Sequence, residues 1–300
     1  MKTTYQGQQK QRLDIFLSEH CPDISRSQIK KFILNGQVKV NGQTPSVHFW
    51  LKENDTINYD LKSHRLDDTV LIEPKVKKET ADYIVIEKPS GLLVHPTDQG
   101  EKNTLITWLL KKYPQVKKID KDTLRPGLVQ RLDRDVSGLM VIPLNKKFFE
   151  ELKKQFVERQ VLKEYLCLVN GRVLNDTGEI NSNLARDRQT GLTKIQAPGE
   201  GLEAHTIYEV VTRYTNCTLL KVQIKTGRTH QIRAHLFSIG HSVVGDKLYQ
   251  TKDVRKKKKQ ADVRIFLHAH LLKFLGPDKK SVRTSSPLPQ ELKNYLKDLK

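Results

Sequence analysis

Six short apolar segments between residues 82 and 270 set the tightest limit on the fold. They are Asp82–Glu87, Gly138–Pro143, Leu162–Val169, Ala204–Thr212, Thr218–Ile224 and Arg264–His270, each the length of a strand. The first stops at Lys88-Pro89-Ser90-Gly91, which reads as a turn. Helical periodicity interrupts them in three places. Asn145–Gln160 carries Phe148, Leu152 and Phe156 on one face, and Thr229–Ile239 and Pro289–Leu299 also read as helices. Strands and helices do not alternate regularly, and no internal repeat is visible. The expected class is α+β with a mainly antiparallel sheet.

Residues 12–60 read as a separate, small α/β module. A short amphipathic helix starts at Arg12-Leu13-Asp14-Ile15-Phe16-Leu17. Ser25 offers an N-cap to a second helix, on which Ile29, Phe32 and Ile33 share a face while Arg26, Lys30 and Lys31 lie off it. Asn35-Gly36 ends that helix, and Val38-Lys39-Val40 followed by Asn41-Gly42 reads as a strand and a tight turn. A basic helix face beside a basic hairpin presents cations to phosphates, although a lone helix of this kind is more often simply solvated. Ser25-Arg26-Ser27 followed by Gly36-Gln37-Val38-Lys39-Val40-Asn41-Gly42 resembles the alpha-L RNA-binding domain, the type named after ribosomal small-subunit protein four. The resemblance implies RNA binding by Arg12, Arg26, Lys30, Lys31 and Lys39. Residues 61–79 are charged, poor in large apolar groups and contain Pro74, so they read as a connecting stretch. The expected division is a module over 12–60, a linker over 61–76 and a second domain over 77–300.

Lys and Arg number 53 against 34 Asp and Glu, a formal excess of +19. Such a chain attracts polyanions, and nucleic acid is the common case. Charge alone separates neither RNA from DNA nor an enzyme from a passive binder. The run Arg255–Lys259 reads as an exposed, solvated loop. No apolar run approaches the ~18–20 residues of a membrane-spanning helix. Met1–Gln6 leads into polar sequence with no secretory h-region. Cys21, Cys167 and Cys217 are far apart and form no CxxC pair, which fits a reducing cytoplasm and no zinc site.

The densest polar cluster is Gln130-Arg131-Leu132-Asp133-Arg134-Asp135-Val136-Ser137-Gly138. It follows Pro126-Gly127 and precedes a strand, so it is a loop, where reactive groups are usually held. Two carboxylates flanked by two arginines suit a structural ion network. Paired carboxylates also suit glycosidic chemistry, and spacing alone does not show whether these two flank a substrate.

Arg131-Leu132-Asp133-Arg134-Asp135-Val136-Ser137-Gly138 resembles the signature Arg-Leu-Asp-x-x-Thr-Ser/Thr-Gly of the RluA/RluD family of pseudouridine synthases. Three further stretches agree in the family's order. Glu87-Lys88-Pro89-Ser90-Gly91-Leu92 precedes it and Lys163-Glu164-Tyr165 follows it. Last comes Thr226-Gly227-Arg228-Thr229-His230-Gln231-Ile232-Arg233-Ala234-His235, with Gly240-His241 and Gly245-Asp246-Lys247-Leu248-Tyr249 after it. The resemblance implies a mainly antiparallel α+β catalytic domain with its site in a basic cleft. It implies that Asp133 is the catalytic aspartate. Tyr165 packs against the target base and serves proton transfer, Arg233 pairs with the aspartate, and Arg131 contacts RNA around the flipped nucleotide. The implied substrate is a uridine in large-subunit ribosomal RNA, with transfer RNA second. A non-catalytic RNA-binding or ribosome-assembly protein is the rival from another class.

The chemistry needs these residue types. Pseudouridylation breaks the base–ribose bond, turns the uracil in place and rejoins it through carbon. Nothing is gained or oxidised, so no cofactor and no metal are expected, and the chain is expected to act as a monomer. A carboxylate can attack as a nucleophile or accept a proton from the sugar, and the residues do not choose between these routes. A phenol supplies a flat face and a hydroxyl. Freeing a stacked base costs a few kcal/mol, part of which an inserted Arg131 can offset. Two positions depart from the family: Gln130 stands where His is usual, and Val136 where Thr is usual. His268 and His270 lie on one strand face without a third ligand nearby, so a packed, hydrogen-bonded pair is expected. Cys167 is expected in the core, and His230 and Gln231 are expected to hold the loop around Arg233.

Overall fold

The computed structural model describes all residues except 8, 22–23, 25, 35, 61–71, 98–100, 121–124, 188–189 and 251–262, and the backbone alone at 27, 28 and 31. The Ser25 cap, Asn35, most of the expected linker, the basic run Arg255–Lys259 and the Lys31 side chain therefore lie outside the described residues. The chain forms two compact units, residues 1–71 with 96–101, and residues 72–95 with 102–300. No helix among the described residues is long and apolar enough to cross a membrane.

The first unit contains β1 (Lys2–Thr4), β2 (Gln11–Arg12), α1 (Leu13–His20), α2 (Arg26–Leu34), β3 (Val38–Val40), β4 (Trp50–Leu51) and β5 (Thr56–Tyr59). β1, β5 and β3 form an antiparallel sheet in that order, and β2 pairs with β4. Leu13, Phe16 and Leu17 of α1 pack with Ile29 and Ile33 of α2 against Val38, Val40, Leu51 and Ile57. The apolar faces read from the periodicity are the ones buried. Asp14, next to Leu13, is also fully buried. A buried carboxylate needs cations, and it takes Arg12 at 3.0 Å and Arg26 at 2.9 Å. Burial alone would raise its pKa, but hydrogen bonds and charge from Arg26 and Arg12 win, and the pKa is lowered.

The second unit is built on β6 (Lys75–Glu79), β7 (Tyr83–Lys88), β8 (Ser137–Pro143), β9 (Leu162–Asn170), β10 (Thr177–Arg186), β11 (Thr193–Gln196), β12 (Leu202–Arg213), β13 (Cys217–Ile224), β14 (Leu267–Leu275) and β15 (Ser281–Ser285). Its α-helices among the described residues are α3 (Leu105–Lys112), α4 (Lys146–Val157), α5 (Gln231–Ser238) and α6 (Gln290–Lys297). The sheet runs β11-β10-β12-β13-β9-β14-β8-β7-β6, with β15 on β14. Every pairing is antiparallel except β14 with β8. Alternate residues of β7 and β8 feed two cores. Tyr83, Val85, Leu139 and Val141 pack under Phe148 and Leu152 of α4, while Ile84, Ile86, Met140 and Ile142 face the larger cluster with Cys167. Burial on both faces is why these strands read as unbroken apolar runs.

The structure differs from the sequence reading at the sheet edges. Lys75–Glu79, inside the stretch read as a connection, is edge strand β6, where charge on an exposed strand is tolerated and blocks further pairing. The sequence reading marks neither the polar strand β10, which has no apolar run, nor the short amphipathic helix α3, where the Thr104 hydroxyl caps by accepting from the Thr107 amide. The strand expected at Arg264–His270 runs instead over Leu267–Leu275. At Gly138, φ is 124° and an added Cβ would collide with the backbone of Ala269. Glycine is what lets β14 lie beside β8 immediately after the Asp133 loop.

Candidate active site

The Asp133 loop is held from below by a buried lysine. Lys88, at the end of β7, is fully buried. Its Nζ donates to the carbonyls of Pro89 at 2.9 Å, Leu92 at 2.8 Å and Arg134 at 2.9 Å. The Gly91 amide donates to the Arg134 carbonyl at 2.9 Å, and Ser90 Oγ donates to that of Asp135 at 2.7 Å. The turn at residues 88–92 is thereby tied to the one at 133–136, while Leu132 and Val136 are buried in the main core. Val136 lies where the family usually has a hydroxyl, and here the side chain simply packs.

Burial pushes the Lys88 pKa down to about 7, with Asp133 and Asp135 opposing. We expect Lys88→Met to cost about 2–4 kcal/mol, because it strips buried carbonyls of a donor. The sign of the pH dependence follows from the depressed value. Between pH 7 and the ordinary 10.5 the unfolded chain binds the proton more tightly, so the wild-type margin over the variant is flat below pH 7 and widens above it. Denaturant melts of both proteins from pH 6 to 9 check this, and a margin that narrows with rising pH would contradict it.

Asp133 meets Arg233 across 100 residues of sequence, Nη1 to Oδ2, at 2.8 Å. Arg233 sits one turn into α5, whose first residue follows His230 in a left-handed conformation with φ of 54°. Its other face is clamped by Asp246: Nε to Oδ2 is 2.6 Å and Nη2 to Oδ1 is 3.0 Å. Asp246 Oδ1 also accepts the amides of Leu248 at 2.8 Å and Tyr249 at 3.1 Å. The Tyr249 ring lies 5.1 Å from the guanidinium, and its hydroxyl meets His230 Nδ1 at 3.1 Å. His230 Nε2 is in turn 3.8 Å from Asp133. Burial opposes the Arg233 charge, but Asp246 and then Asp133 more than compensate and raise its pKa. Gln231 accepts from Thr226 Oγ1 and the Arg228 amide, and donates to His205 and Thr206, which fastens the loop before α5.

Tyr165 on β9 lines the same small cavity of about 60 Å³ as Asp133, Arg131 and Arg233. Burial first, then the Asp133 charge, pushes its hydroxyl well above the ordinary tyrosine range. It therefore stays a neutral phenol near pH 7, suited to stacking and hydrogen bonding rather than to acting as a resting base. Asp135 is exposed and does not line this cavity, so the two loop carboxylates do not face one space.

The remaining sequence candidates fall in different settings. Arg131 is exposed at the cavity. In the first unit Lys39 is exposed and Lys30 half-buried, while Arg12 and Arg26 spend hydrogen bonds on Asp14, Arg26 keeping 46% side-chain exposure. His268 is buried with Nδ1 on Ser137 Oγ and Nε2 on Ser286 Oγ, and burial lowers its pKa to about 4. Cys167 is buried. No cluster of metal-ligating side chains occurs among the described residues. Lys88, Asp246 and Tyr249 stand inside the family-like motifs, but nothing in the sequence assigns them a task. The short spacing from Asp246 to Tyr249 after Gly245 is the one available sign.

Comparison with known proteins agrees with this architecture. The family described as RNA pseudouridylate synthase matches residues 82–238, and the S4 domain matches residues 11–57. The chain is 31% identical over 302 residues to an uncharacterized RNA pseudouridine synthase, YlyB, of Bacillus subtilis (strain 168), covering 99% of this chain and 97% of that one. It is 34% identical over 308 residues to the ribosomal large subunit pseudouridine synthase D of Blochmanniella floridana, covering 96% and 94%. The fold resembles that of human RNA pseudouridylate synthase domain containing 1, with a TM-score of 0.60 and 23% identity over 73% of this chain and 85% of that one.

Proposed function

Because this chain belongs to the RNA pseudouridylate synthase family and is an RNA pseudouridine synthase, we propose that its substrate is a uridine in large-subunit ribosomal RNA. Relatives that match along nearly the whole chain and are named for that subunit support this choice. We take the protein to work in the cytoplasm and as a monomer, with Asp133, Tyr165 and Arg233 of one chain meeting in one cavity.

In the proposed mechanism the base–ribose bond breaks as Asp133 either attacks the sugar carbon that bears the uracil or takes a proton from the neighbouring sugar carbon. Arg233 holds the carboxylate in place. Tyr165 offers its ring to the turning base and its neutral hydroxyl to the proton transfers by which C5 of the uracil loses a proton and N1 gains one. Arg131, exposed at the mouth, fills the gap left by the flipped nucleotide. The observation that carries this reading is the Arg233–Asp133 pair at 2.8 Å in a cavity walled by Tyr165. Nucleoside analysis of ribosomal and transfer RNA from cells with and without the protein tests it. Loss of one pseudouridine from large-subunit RNA is expected, and loss from transfer RNA alone would move the substrate there.

The S4 module is proposed to supply grip and target choice. A protein beginning at residue 72, just before β6, should still fold, because the second unit has its own cores. It should bind RNA more weakly. The slope of log affinity on log salt should flatten by roughly 0.7–0.9 for each phosphate that the shortened protein no longer neutralises. Equal slopes for both proteins would show that the module's lysines do not touch phosphate.

A further inference from the structure

A second cavity adjoins the one that holds Asp133. Its volume is about 650 Å³ against about 60 Å³, and the two share Arg131, Tyr165, Ile224, Gly227 and Arg228. Its wall is apolar along Val94, Leu128, Val129 and Phe156. Cations ring that wall, Arg125, Arg159, Lys163 and Lys225 with the two shared arginines, and Gln130 adds an amide. Gln130 Nε2 is buried and has no hydrogen-bond partner among the described residues. Lys163 Nζ reaches the Thr226 carbonyl only at a long 3.3 Å and lies 5.5 Å from the centre of the Phe156 ring. An ammonium has three protons to donate. A buried donor without an acceptor is rare in folded chains, and Gln130 beside an ammonium with protons to spare points to a ligand that brings acceptors.

We propose that this cavity is a second nucleobase site, which takes a base near the target uridine and prefers guanine to adenine. This rests on the pseudouridine synthase reading above. A backbone phosphate would use the surrounding cations but leave the apolar wall uncovered. A base uses both features: its face buries against the aliphatic wall beside the Phe156 ring. Its edge then meets an amide donor and an ammonium donor. That pair complements adjacent acceptors, such as O6 and N7 of guanine, and opposes the exocyclic amine that adenine carries in place of O6. Arg131 and Arg228 line both cavities, where they can hold the phosphates that join the two nucleotides.

The test uses the full chain and stem–loop RNAs that contain the uridine mapped as modified in cells. Each neighbouring nucleotide is made abasic in turn, or exchanged G for A. At one position the wild type should lose about tenfold or more in single-turnover kcat/KM on losing the base or its carbonyl. At that position Gln130→Leu and Lys163→Met should each lose most of the discrimination between guanine and adenine. Abasic RNAs that all react as well as the intact one would overturn the proposal, as would discrimination that survives in both variants. Failure of the underlying reading looks different: the wild type would then convert none of these RNAs.

Discussion

Asp133→Asn is expected to lower pseudouridine formation by roughly 10³-fold or more, the scale of losing a positioned nucleophile or proton acceptor. The exchange is close to isosteric. The amide oxygen can still accept from Arg233, and Asp246 keeps the guanidinium in place through its two hydrogen bonds. The loop is anchored independently by Lys88 on the Arg134 carbonyl and by buried Leu132 and Val136. Stability and RNA affinity should therefore stay close to wild type, with affinity slightly higher because a negative charge has left a site lined by Arg131 and Arg228. Single-turnover conversion and filter binding on the same RNA separate the two properties. Turnover within a few-fold of wild type would remove Asp133 from the chemistry.

The second large effect is at Arg233. Arg233→Ala should abolish conversion and also destabilise the fold by about 3–5 kcal/mol, because Asp246 would be left as a buried, uncompensated carboxylate. The Asp246 side chain has 0% exposure and Arg233 only 8%. Arg233→Lys should recover part of the stability and little of the activity, since an ammonium cannot serve Asp246 with a planar fork while reaching Asp133. The raised Arg233 pKa places the loss of its charge far on the alkaline side, so the arginine itself adds no titration between pH 5 and 9. Denaturant melts with kcat/KM for the three proteins decide the matter. An alanine variant as stable as wild type would show that Asp246 has water or another partner.

These two residues also show what is legible in a sequence. Asp133, Tyr165 and Arg233 are readable because the resemblance attaches a task to each, and the structure brings all three to one cavity. Asp246 stands in a family-like stretch without a task, and nothing in a carboxylate 13 positions after an arginine reveals that the chain folds back to clamp it. Lys88 reads as part of a surface turn, since lysine beside proline and glycine is ordinarily solvated. Its burial depends on three carbonyls that only the folded turn collects. Asp14 looks like a first-turn helix residue, yet it is the buried anchor for two arginines expected to face RNA. The central strands declare themselves through apolar runs, whereas β6 and β10 follow hydrogen-bonding partners rather than hydrophobic pattern.

The parallel seam between β8 and β14 bears on how the protein is made. Ser137 Oγ bonds His268 Nδ1 across 131 residues, and the Asp133 turn leads straight into this seam. Such distant pairing forms late, after the loop entropy of the intervening chain has been met. During translation the S4 module is complete once its own residues have left the ribosome, while Asp133 waits for Arg233, Asp246 and β14. A nascent chain thus gains its RNA-binding module long before it can modify anything, and chemistry begins only when synthesis is nearly finished.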